Sequence, residues 1–185
     1  MNRALYIEPI MTDEQASAWT TAADRQHAAA FGAARRCEFL TWRALLRRTL
    51  GVVEIGYNVA GAPILLDHKE LHISVSHGAE RVALCLSDRA CGVDIERLDR
   101  NFDRVAARYL TPAEEALSSD PRAKTVAWCA KEALYKLAGT SGLDMLRDLH
   151  LTALGTDWVE GCIKNGETHR LSVRYLDDAV VVWIL

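Results

Sequence analysis

The sequence predicts an α+β fold. One long helix is expected over residues 33–50 and another over residues 120–139. Alternating apolar residues predict a β-hairpin over residues 71–86, and two further strands are expected near the C-terminus, around 158–164 and 170–175. Each half of the chain thus contains a helix, an irregular stretch and a hairpin, and this order is typical of the α+β class.

The first half is predicted from its caps and breakers. A short strand at about residues 3–8 precedes a helix opened by Thr12, whose hydroxyl can cap it, with two acids in the first turn. The long helix is expected to end near Gly51. Residues 52–70 are expected to be irregular because of the breakers Gly56, Gly61 and Pro63.

The second half begins with a predicted strand over residues 91–96, followed by a helix near residues 101–110. Thr111 to Glu114 form a capping box with proline at the first helical position. The next helix is expected to start with Asp120 as its cap and to end at Gly139, which suits the position after a helix. A turn at Asp177-Asp178 and a final strand, Val180 to Leu185, close the chain.

Composition limits the class of protein. The 185 residues are half hydrophobic and one quarter charged, which suits one sizeable globular domain or two small ones. A net charge of −3 gives no general attraction to nucleic acid or to an anionic membrane. The five scattered cysteines favour a reducing cytosol. No signal-like N-terminus and no apolar run near the ~20 residues of a membrane span are present, so a cytoplasmic location is expected.

Two carboxylates alternate with aliphatic residues in the predicted strand 91–96. Side chains of a strand alternate between its faces, so Asp94 and Glu96 are expected on one face and Val93 and Ile95 on the other. Paired carboxylates repel each other unless a cation or base offsets the repulsion. The pattern therefore points to a functional site.

A second acidic motif lies on the helix over residues 120–139. Trp128, Glu132 and Lys136 are four residues apart and form one stripe. Three carboxylates and a lysine on rigid elements suit a Mg²⁺ ion, which prefers oxygen ligands, and a phosphate. The alternative is a solvated strand and a surface helix with an ordinary Glu132–Lys136 pair.

Together the two motifs resemble those of 4′-phosphopantetheinyl transferases of the surfactin-synthetase-activating type. The strand motif is Gly-Val-Asp-Ile-Glu at residues 92–96, and the helix motif is Trp-Cys-Ala-Lys-Glu-Ala-Leu-Tyr-Lys at residues 128–136. Glu132 follows Asp94 by 38 positions, close to the spacing in that family. The order and spacing of both motifs carry the resemblance, which covers most of residues 33–143.

The resemblance implies two similar α/β halves packed as a pseudo-dimer, with the active site in the cleft between them. The halves would be residues 1–91, with coenzyme A phosphate and adenine contacts, and residues 92–185, with the metal ligands and carrier-protein docking. A weak internal repeat is compatible with this. It places Arg43 where the second half has Glu132, so one active site is expected.

The resemblance also implies the reaction. A Mg²⁺-dependent enzyme would move the phosphopantetheine arm of coenzyme A onto a serine of a carrier protein and release 3′,5′-ADP. Asp94 and Glu132 would bind Mg²⁺, Glu96 would complete the site, and Lys136 would hold a phosphate. The general base is left open between Glu132 and Glu96, acting directly or through water. Lys131 lies about 100° around the helix from Glu132 and is expected to point away.

Further residues are expected to contact coenzyme A. Ser76 and His77 match a Ser-His pair that contacts its phosphates in the family. Arg36 and Arg43 are candidates for its 3′-phosphate, because arginine forks suit phosphate oxygens. Ala62 stands where the family's Gly-Lys-Pro turn has a lysine, so one contact is missing.

The implied partners are an acyl, peptidyl or polyketide carrier protein and coenzyme A, and the protein is expected to be a monomer that binds no nucleic acid. In relatives, the region that corresponds to residues 108–115 helps to dock the carrier. Two alternatives stay open at this point. One is a metal-dependent hydrolase of the coenzyme A pyrophosphate, and the other is a binding module without turnover.

Overall fold

Helices and antiparallel sheets make up residues 3–185, the part of the chain that the computed structural model describes. The first half contains β1 (Ala4–Pro9), α1 (Asp13–Ser17), α2 (Ala22–Ala28), α3 (Ala33–Leu50), β2 (Ile55–Tyr57), β3 (Pro63–Leu65), β4 (His72–Gly78) and β5 (Arg81–Ser87). The second half contains β6 (Gly92–Arg97), a 3₁₀ turn (Ala106–Arg108), α4 (Pro112–Glu115), α5 (Ala123–Ala138), β7 (Leu149–Leu154), β8 (Trp158–Ile163), β9 (Thr168–Tyr175) and β10 (Ala179–Ile184).

Three antiparallel sheets organise these elements. One has the strand order β1-β5-β4, one has the order β6-β10-β9-β8-β7, and β2 pairs with β3 alone. In the five-stranded sheet β6 is an edge strand, and its Asp94 lies opposite Val182 of β10. The predicted α+β class is confirmed.

Each of the two long helices packs on a sheet. Apolar residues of α3 pack with β5 of the three-stranded sheet: Trp42, Leu45, Leu46, Val82, Leu84 and Leu86. Apolar residues of α5 pack with the five-stranded sheet: Val126, Ala130, Ala133, Leu134, Leu149, Leu171, Val180 and Val182. A third cluster, which includes Ala83, Cys85, Val93, Ile95 and Val181, joins β5 to β6 and β10. The apolar side of β6 is therefore buried against the first half of the chain.

Two glycines allow the backbones around β6 to approach closely. A Cβ atom on Gly92 would lie 2.0 Å from the carbonyl oxygen of Ala133 in α5. A Cβ atom on Gly78, at the end of β4, would lie 2.4 Å from the carbonyl oxygen of Ile95. Any side chain at either position would push β6 away from its neighbours. These close approaches bring both β4 and α5 next to the acidic strand.

Most predicted elements are confirmed. The predicted helix 33–50 is α3, with Gly51 as its C-cap residue. The predicted hairpin 71–86 is formed by β4 and β5, and the acidic strand is β6. The capping boxes at Thr12 and Thr111 are both formed.

Several predicted elements are wrong. Residues 52–70 contain the hairpin β2–β3, in which Gly56 leaves room for the side chain of Leu66. Of the predicted helix 101–110, only Ala106–Arg108 are helical, as a 3₁₀ turn, although the apolar residues of the segment enter the core at helical spacing. Helix α5 starts at Ala123, three residues after the expected cap Asp120, and neither α2 nor β7 was predicted. No helix in residues 3–185 is long and apolar enough to span a membrane.

Candidate active site

The two carboxylates of β6 lie on one face of the strand, as its alternation predicts. Val93 and Ile95 are almost completely buried in the cluster that joins the two halves. Asp94 projects in the other direction, toward α5, and its side chain is 8% exposed. The strand thus delivers a nearly buried carboxylate to the side of the sheet that carries α5.

Asp94 is held by both of its neighbouring elements. The Ser76 hydroxyl of β4 donates to Asp94 Oδ1 over 2.7 Å, and Lys136 Nζ of α5 donates to the same oxygen over 3.0 Å. Lys136 Nζ also donates to the carbonyl oxygen of Val93 over 2.8 Å. The second carboxylate oxygen, Asp94 Oδ2, is buried and has no hydrogen-bond partner. A buried oxygen without a partner is costly, and a cation is one group that would satisfy it.

Glu96 stands at the end of β6 and is partly shielded from solvent. It forms an ion pair with Arg100 and lies near the side chain of Trp128. Burial raises the pKa of Glu96, and the nearby Asp94 charge adds to the rise, whereas Arg100 and Trp128 oppose it. The Arg100 guanidinium is itself stacked 4.8 Å from the centre of the Phe102 ring.

Glu132 completes the acidic group from the side of α5. Burial raises the pKa of Glu132, and the charges of Asp94 and Glu96 contribute to the rise, while Lys136 lowers it. Like charges that share a site are expected to behave in this way. The predicted trio of carboxylates is thus close enough to interact, although no group of three or more acidic, histidine or cysteine side chains in residues 3–185 is spaced to hold a metal ion in this structure.

Lys131 points away from the trio, as its helical position predicts. Its ammonium is fully buried, lies 2.8 Å from Glu114 Oε1 and donates to the carbonyl oxygen of Met145 over 2.9 Å. Glu114 also accepts from the backbone N–H groups of Thr111 and Leu151. Burial alone would raise the pKa of Glu114, but these hydrogen bonds lower it below its ordinary value. Lys131 therefore links α5 to α4 and β7.

Ser76 and His77 are neighbours in β4 and project to opposite sides. Ser76 contacts Asp94, whereas His77 is 38% exposed and lies beside α3. Arg35 Nη1 is 2.6 Å from His77 Nε2, and Glu38 Oε1 is 3.3 Å from Nδ1, which places the ring proton on Nδ1. Burial lowers the pKa of His77, with Arg35 and Lys136 adding to the effect and Glu38 opposing it.

The two arginines suggested for the 3′-phosphate are engaged with protein groups. Arg43 is 4% exposed, and its guanidinium donates to Asp24 and to the Tyr57 hydroxyl and stacks 3.4 Å from the centre of the Phe39 ring. The three guanidinium nitrogens of Arg43 each have a protein partner, so a contact with the 3′-phosphate would require an exchange of partners. Arg36 is partly exposed on the surface, in an ion pair with Asp13 at 2.8 Å.

Two neighbouring cavities lie beside β4. A cavity of about 290 Å³ is bordered by Pro63, Ser74, Glu132 and Lys136 among others. A smaller cavity of about 170 Å³ is bordered by Arg35, Phe39, Trp42, Tyr57, Pro63 and His77. Both also touch Gly61 and Val75, so they form parts of one groove.

The sequence contained an overlooked signal for Arg35. Arg35, Phe39 and Trp42 are spaced by four and three residues and therefore share one face of α3, and all three border the smaller cavity. An arginine one turn before two aromatic residues on a helix is a pattern that could have identified this face.

A carboxylate group beside a lysine, at the end of a groove, is the kind of site that binds a phosphate together with a divalent cation. In agreement with it, residues 90–181 match the family model of the 4′-phosphopantetheinyl transferase superfamily. This stretch of the chain, about half of its length, belongs to that superfamily and contains Asp94, Glu96, Glu132 and Lys136. No curated protein matches the chain. Membership suggests phosphopantetheinyl transfer, and hence a transferase.

Proposed function

We propose that the chain transfers the 4′-phosphopantetheine arm of coenzyme A to a serine of an acyl, peptidyl or polyketide carrier protein. The observation that carries this proposal is the contact of Lys136 and Ser76 with Asp94, at the point where the larger cavity reaches Glu132. The serine oxygen would attack the pantetheine-linked phosphorus, the bond to the leaving 3′,5′-ADP would break, and the serine proton would pass to a base.

The donor set fits a Mg²⁺ ion. Asp94, Glu96 and Glu132 offer hard oxygen ligands, and the unpartnered Asp94 Oδ2 is an oxygen that a cation would satisfy. When bound, the ion would polarise the phosphoryl oxygens and neutralise charge on the leaving group. Burial first, and then the nearby Asp94 charge, raise the pKa values of Glu96 and Glu132, and this supports the fit, since a cation at this place would stabilise their charged forms.

The protein side chains have separate roles in the proposed reaction. Lys136 would hold a phosphate oxygen next to Asp94, and Ser76 would fix the orientation of that carboxylate. Glu132 or Glu96 would accept the proton of the carrier serine, because a carboxylate with a raised pKa is a better base near neutral pH than an ordinary one.

Coenzyme A would lie along the groove that the two cavities form. We propose Arg35 and His77 as contacts for its phosphates, with Phe39 and Trp42 lining the same cavity. Their common cavity supports this assignment. Arg36 would reach the 3′-phosphate only by exchanging its pairing with Asp13.

We also propose that residues 1–91 and 92–185 are two similar halves of a pseudo-dimer, with the active site between them. The packing of one long helix on one antiparallel sheet in each half supports this. We place carrier docking on residues 108–115, where Arg108 and Glu115 are exposed and Glu114 is buried. The five free cysteines support a reducing, cytoplasmic location, and a monomer is proposed.

The proposal is tested with a purified apo carrier protein, coenzyme A and Mg²⁺. Mass analysis should find the carrier increased by one phosphopantetheine group, with 3′,5′-ADP as the second product. If coenzyme A is cleaved while the carrier mass is unchanged, the chain is a pyrophosphate hydrolase. If neither changes for acyl, peptidyl and polyketide carriers, it is a binding module.

Metal removal is expected to stop transfer. Chelation by EDTA should abolish product formation, and Mg²⁺ or Mn²⁺ should restore it, because the three proposed ligands are all carboxylates. The measurement is the initial rate in the carrier assay after dialysis and readdition. Restoration by Zn²⁺ alone would contradict the assignment and direct attention to the histidines.

Lys136→Ala is expected to lower kcat/KM by at least about tenfold, which corresponds to roughly 1.4 kcal/mol of transition-state stabilisation. Lys136→Arg should recover little of the loss, because the ammonium sits within 3.0 Å of both Val93 O and Asp94 Oδ1 and a planar fork needs more room. Initial rates at several coenzyme A concentrations measure both variants. Full activity of Lys136→Arg would contradict the proposed role of the compact charge.

A further inference from the structure

One face of the five-stranded sheet is open along β8 and β9. The face that carries α5 buries Val159, Leu171 and Val173. The intervening residues of β9 project to the other side, and Ser172 and Arg174 are exposed there. The first half of the chain packs over the same face at β6 and β10, through the cluster that joins the two halves.

This open face carries two arginine–tryptophan pairs. The Arg170 guanidinium carbon lies 4.2 Å from the centre of the Trp158 ring, and that of Arg174 lies 5.3 Å from the centre of the Trp183 ring. Trp158 and Trp183 both lie opposite Ser172, on the two strands that flank β9. We call Trp158, Arg170, Ser172, Arg174 and Trp183 the arginine–tryptophan face.

The register fixes the dimensions of the arginine–tryptophan face. Two strand spacings separate the tryptophans by about 10 Å, and four residues of β9 separate the arginines by about 13 Å. Stacking on an indole restricts an arginine side chain, so less entropy is lost when its N–H groups bind a partner. The face therefore presents two ordered cations with apolar surface between them.

We infer that the arginine–tryptophan face is a docking surface for an acidic segment of another protein. Tryptophan and arginine are the residues most enriched at the energetic centres of protein interfaces. Arg170 is 61% exposed and only loosely paired with Glu160 at 3.5 Å. Arg174 has no carboxylate within 4.0 Å among the described side chains. Both cations are thus available to carboxylates of a partner.

A nucleic acid fits the arginine–tryptophan face less well. Base stacking needs a free aromatic ring, and here a guanidinium already lies over each indole. The chain carries a net charge of −3, and the acidic Asp157, Glu160 and Glu167 lie on or beside β8 and β9. These charges would repel a continuous polyanion, whereas a protein segment with a few carboxylates can avoid them.

The arginine–tryptophan face is separate from the candidate active site. Trp183 lies opposite Val93, and the next pair along these strands is Val182 with Asp94. Successive residues project to opposite faces, so Asp94 lies on the α5 side and Trp183 on the other side, where it packs against the cluster that joins the two halves. A partner bound at the open face would leave the groove accessible, and it would localise the protein rather than compete with coenzyme A.

The test uses a fluorescent 14-residue peptide composed of glutamate and leucine, its glutamine-leucine counterpart and a twelve-nucleotide oligo-dT. Fluorescence anisotropy is measured at low salt with the full chain. The wild type should bind the glutamate peptide at least tenfold more tightly than either other probe. The double variant Arg170→Glu/Arg174→Glu should bind it at least tenfold more weakly than the wild type.

The matched control is Arg48→Glu/Arg89→Glu, which makes the same charge change at two exposed arginines of other elements and should alter binding less than twofold. If the charge reversal prevents folding, as judged by thermal unfolding, Arg170→Gln/Arg174→Gln replaces it as the test variant. This variant should also weaken binding. The inference is overturned if the wild type does not bind the glutamate peptide. It is also overturned if Arg48→Glu/Arg89→Glu weakens binding as much as Arg170→Glu/Arg174→Glu does, or if the wild type binds oligo-dT more tightly than the glutamate peptide.

Discussion

Glu132→Gln is expected to lower kcat/KM for transfer by at least about a hundredfold, or roughly 2.7 kcal/mol, and at the same time to stabilise the metal-free protein. The substitution removes a proposed metal ligand and base while keeping the size of the side chain. It also removes a buried carboxylate whose own pKa is raised by burial and by the charges of Asp94 and Glu96. Carrier-assay rates and thermal unfolding in EDTA measure the two effects.

The pH dependence of stability gives the same prediction a second readout. Burial and neighbouring charge raise the folded-state pKa of Glu96 and Glu132 above their unfolded values. The folded protein therefore binds protons more tightly than the unfolded chain, and this contribution to stability is lost as pH rises through the raised pKa values. In EDTA the wild type should lose stability over that range more steeply than Glu132→Gln, and Mg²⁺ should reduce the difference.

The control for Glu132→Gln is Glu167→Gln, the same change at an 85% exposed glutamate between β8 and β9. It should leave both the transfer rate and the metal-free unfolding temperature within error of the wild type. Wild-type turnover of Glu132→Gln at saturating Mg²⁺ would show that the metal assignment is wrong. Asp94→Ala is also expected to abolish transfer, but it removes the partner of Ser76 and Lys136 as well.

Lys131→Ala is expected to lower the free energy of unfolding by about 3–5 kcal/mol. The reason is that it leaves the buried Glu114 charge without its partner, although Glu114 keeps its backbone donors. Chemical denaturation measures this loss. Per folded molecule, however, Lys136→Ala should reduce transfer more than Lys131→Ala, because only Lys136 contacts Asp94.

The double variant Glu114→Gln/Lys131→Met tests the cause of the loss in Lys131→Ala. The glutamine side chain would retain an acceptor for the N–H groups of Thr111 and Leu151, and the methionine would fill the space of the lysine stem. Replacing both members of a buried ion pair costs less than removing one. The double variant should therefore be more stable than Lys131→Ala. Equal stability, or a loss below about 1 kcal/mol in Lys131→Ala, would contradict a structural ion pair.

Local periodicity was sufficient for the elements that carry the acidic residues. A two-residue period predicted that Asp94 and Glu96 share a face, and β6 has this arrangement, with Val93 and Ile95 buried on the other side. The four-residue spacing of Glu132 and Lys136 likewise predicted one stripe on α5. These features depend only on the geometry of one strand or one helix, so the order of residues is enough to specify them.

Only the tertiary structure determines which partners the other charged side chains bind. Arg43 was expected to bind phosphate, but Asp24 and Tyr57 from other elements bind its guanidinium. His77, which stays a proposed phosphate contact, lies between Arg35 and Glu38 of α3. Each of these pairs joins residues at least 14 positions apart. Periodicity within one element carries no information about such partners.

The sequence by itself therefore determined the α+β class, the acidic strand, the helix stripe and, through the spacing of the two motifs, the superfamily. The tertiary structure decided which basic residues are free and which are structural, because this depends on burial and on partners from distant segments. It also decided that Asp94 has one oxygen bound by Ser76 and Lys136 and one without a partner. The arginine–tryptophan face likewise exists only through the register of β8, β9 and β10.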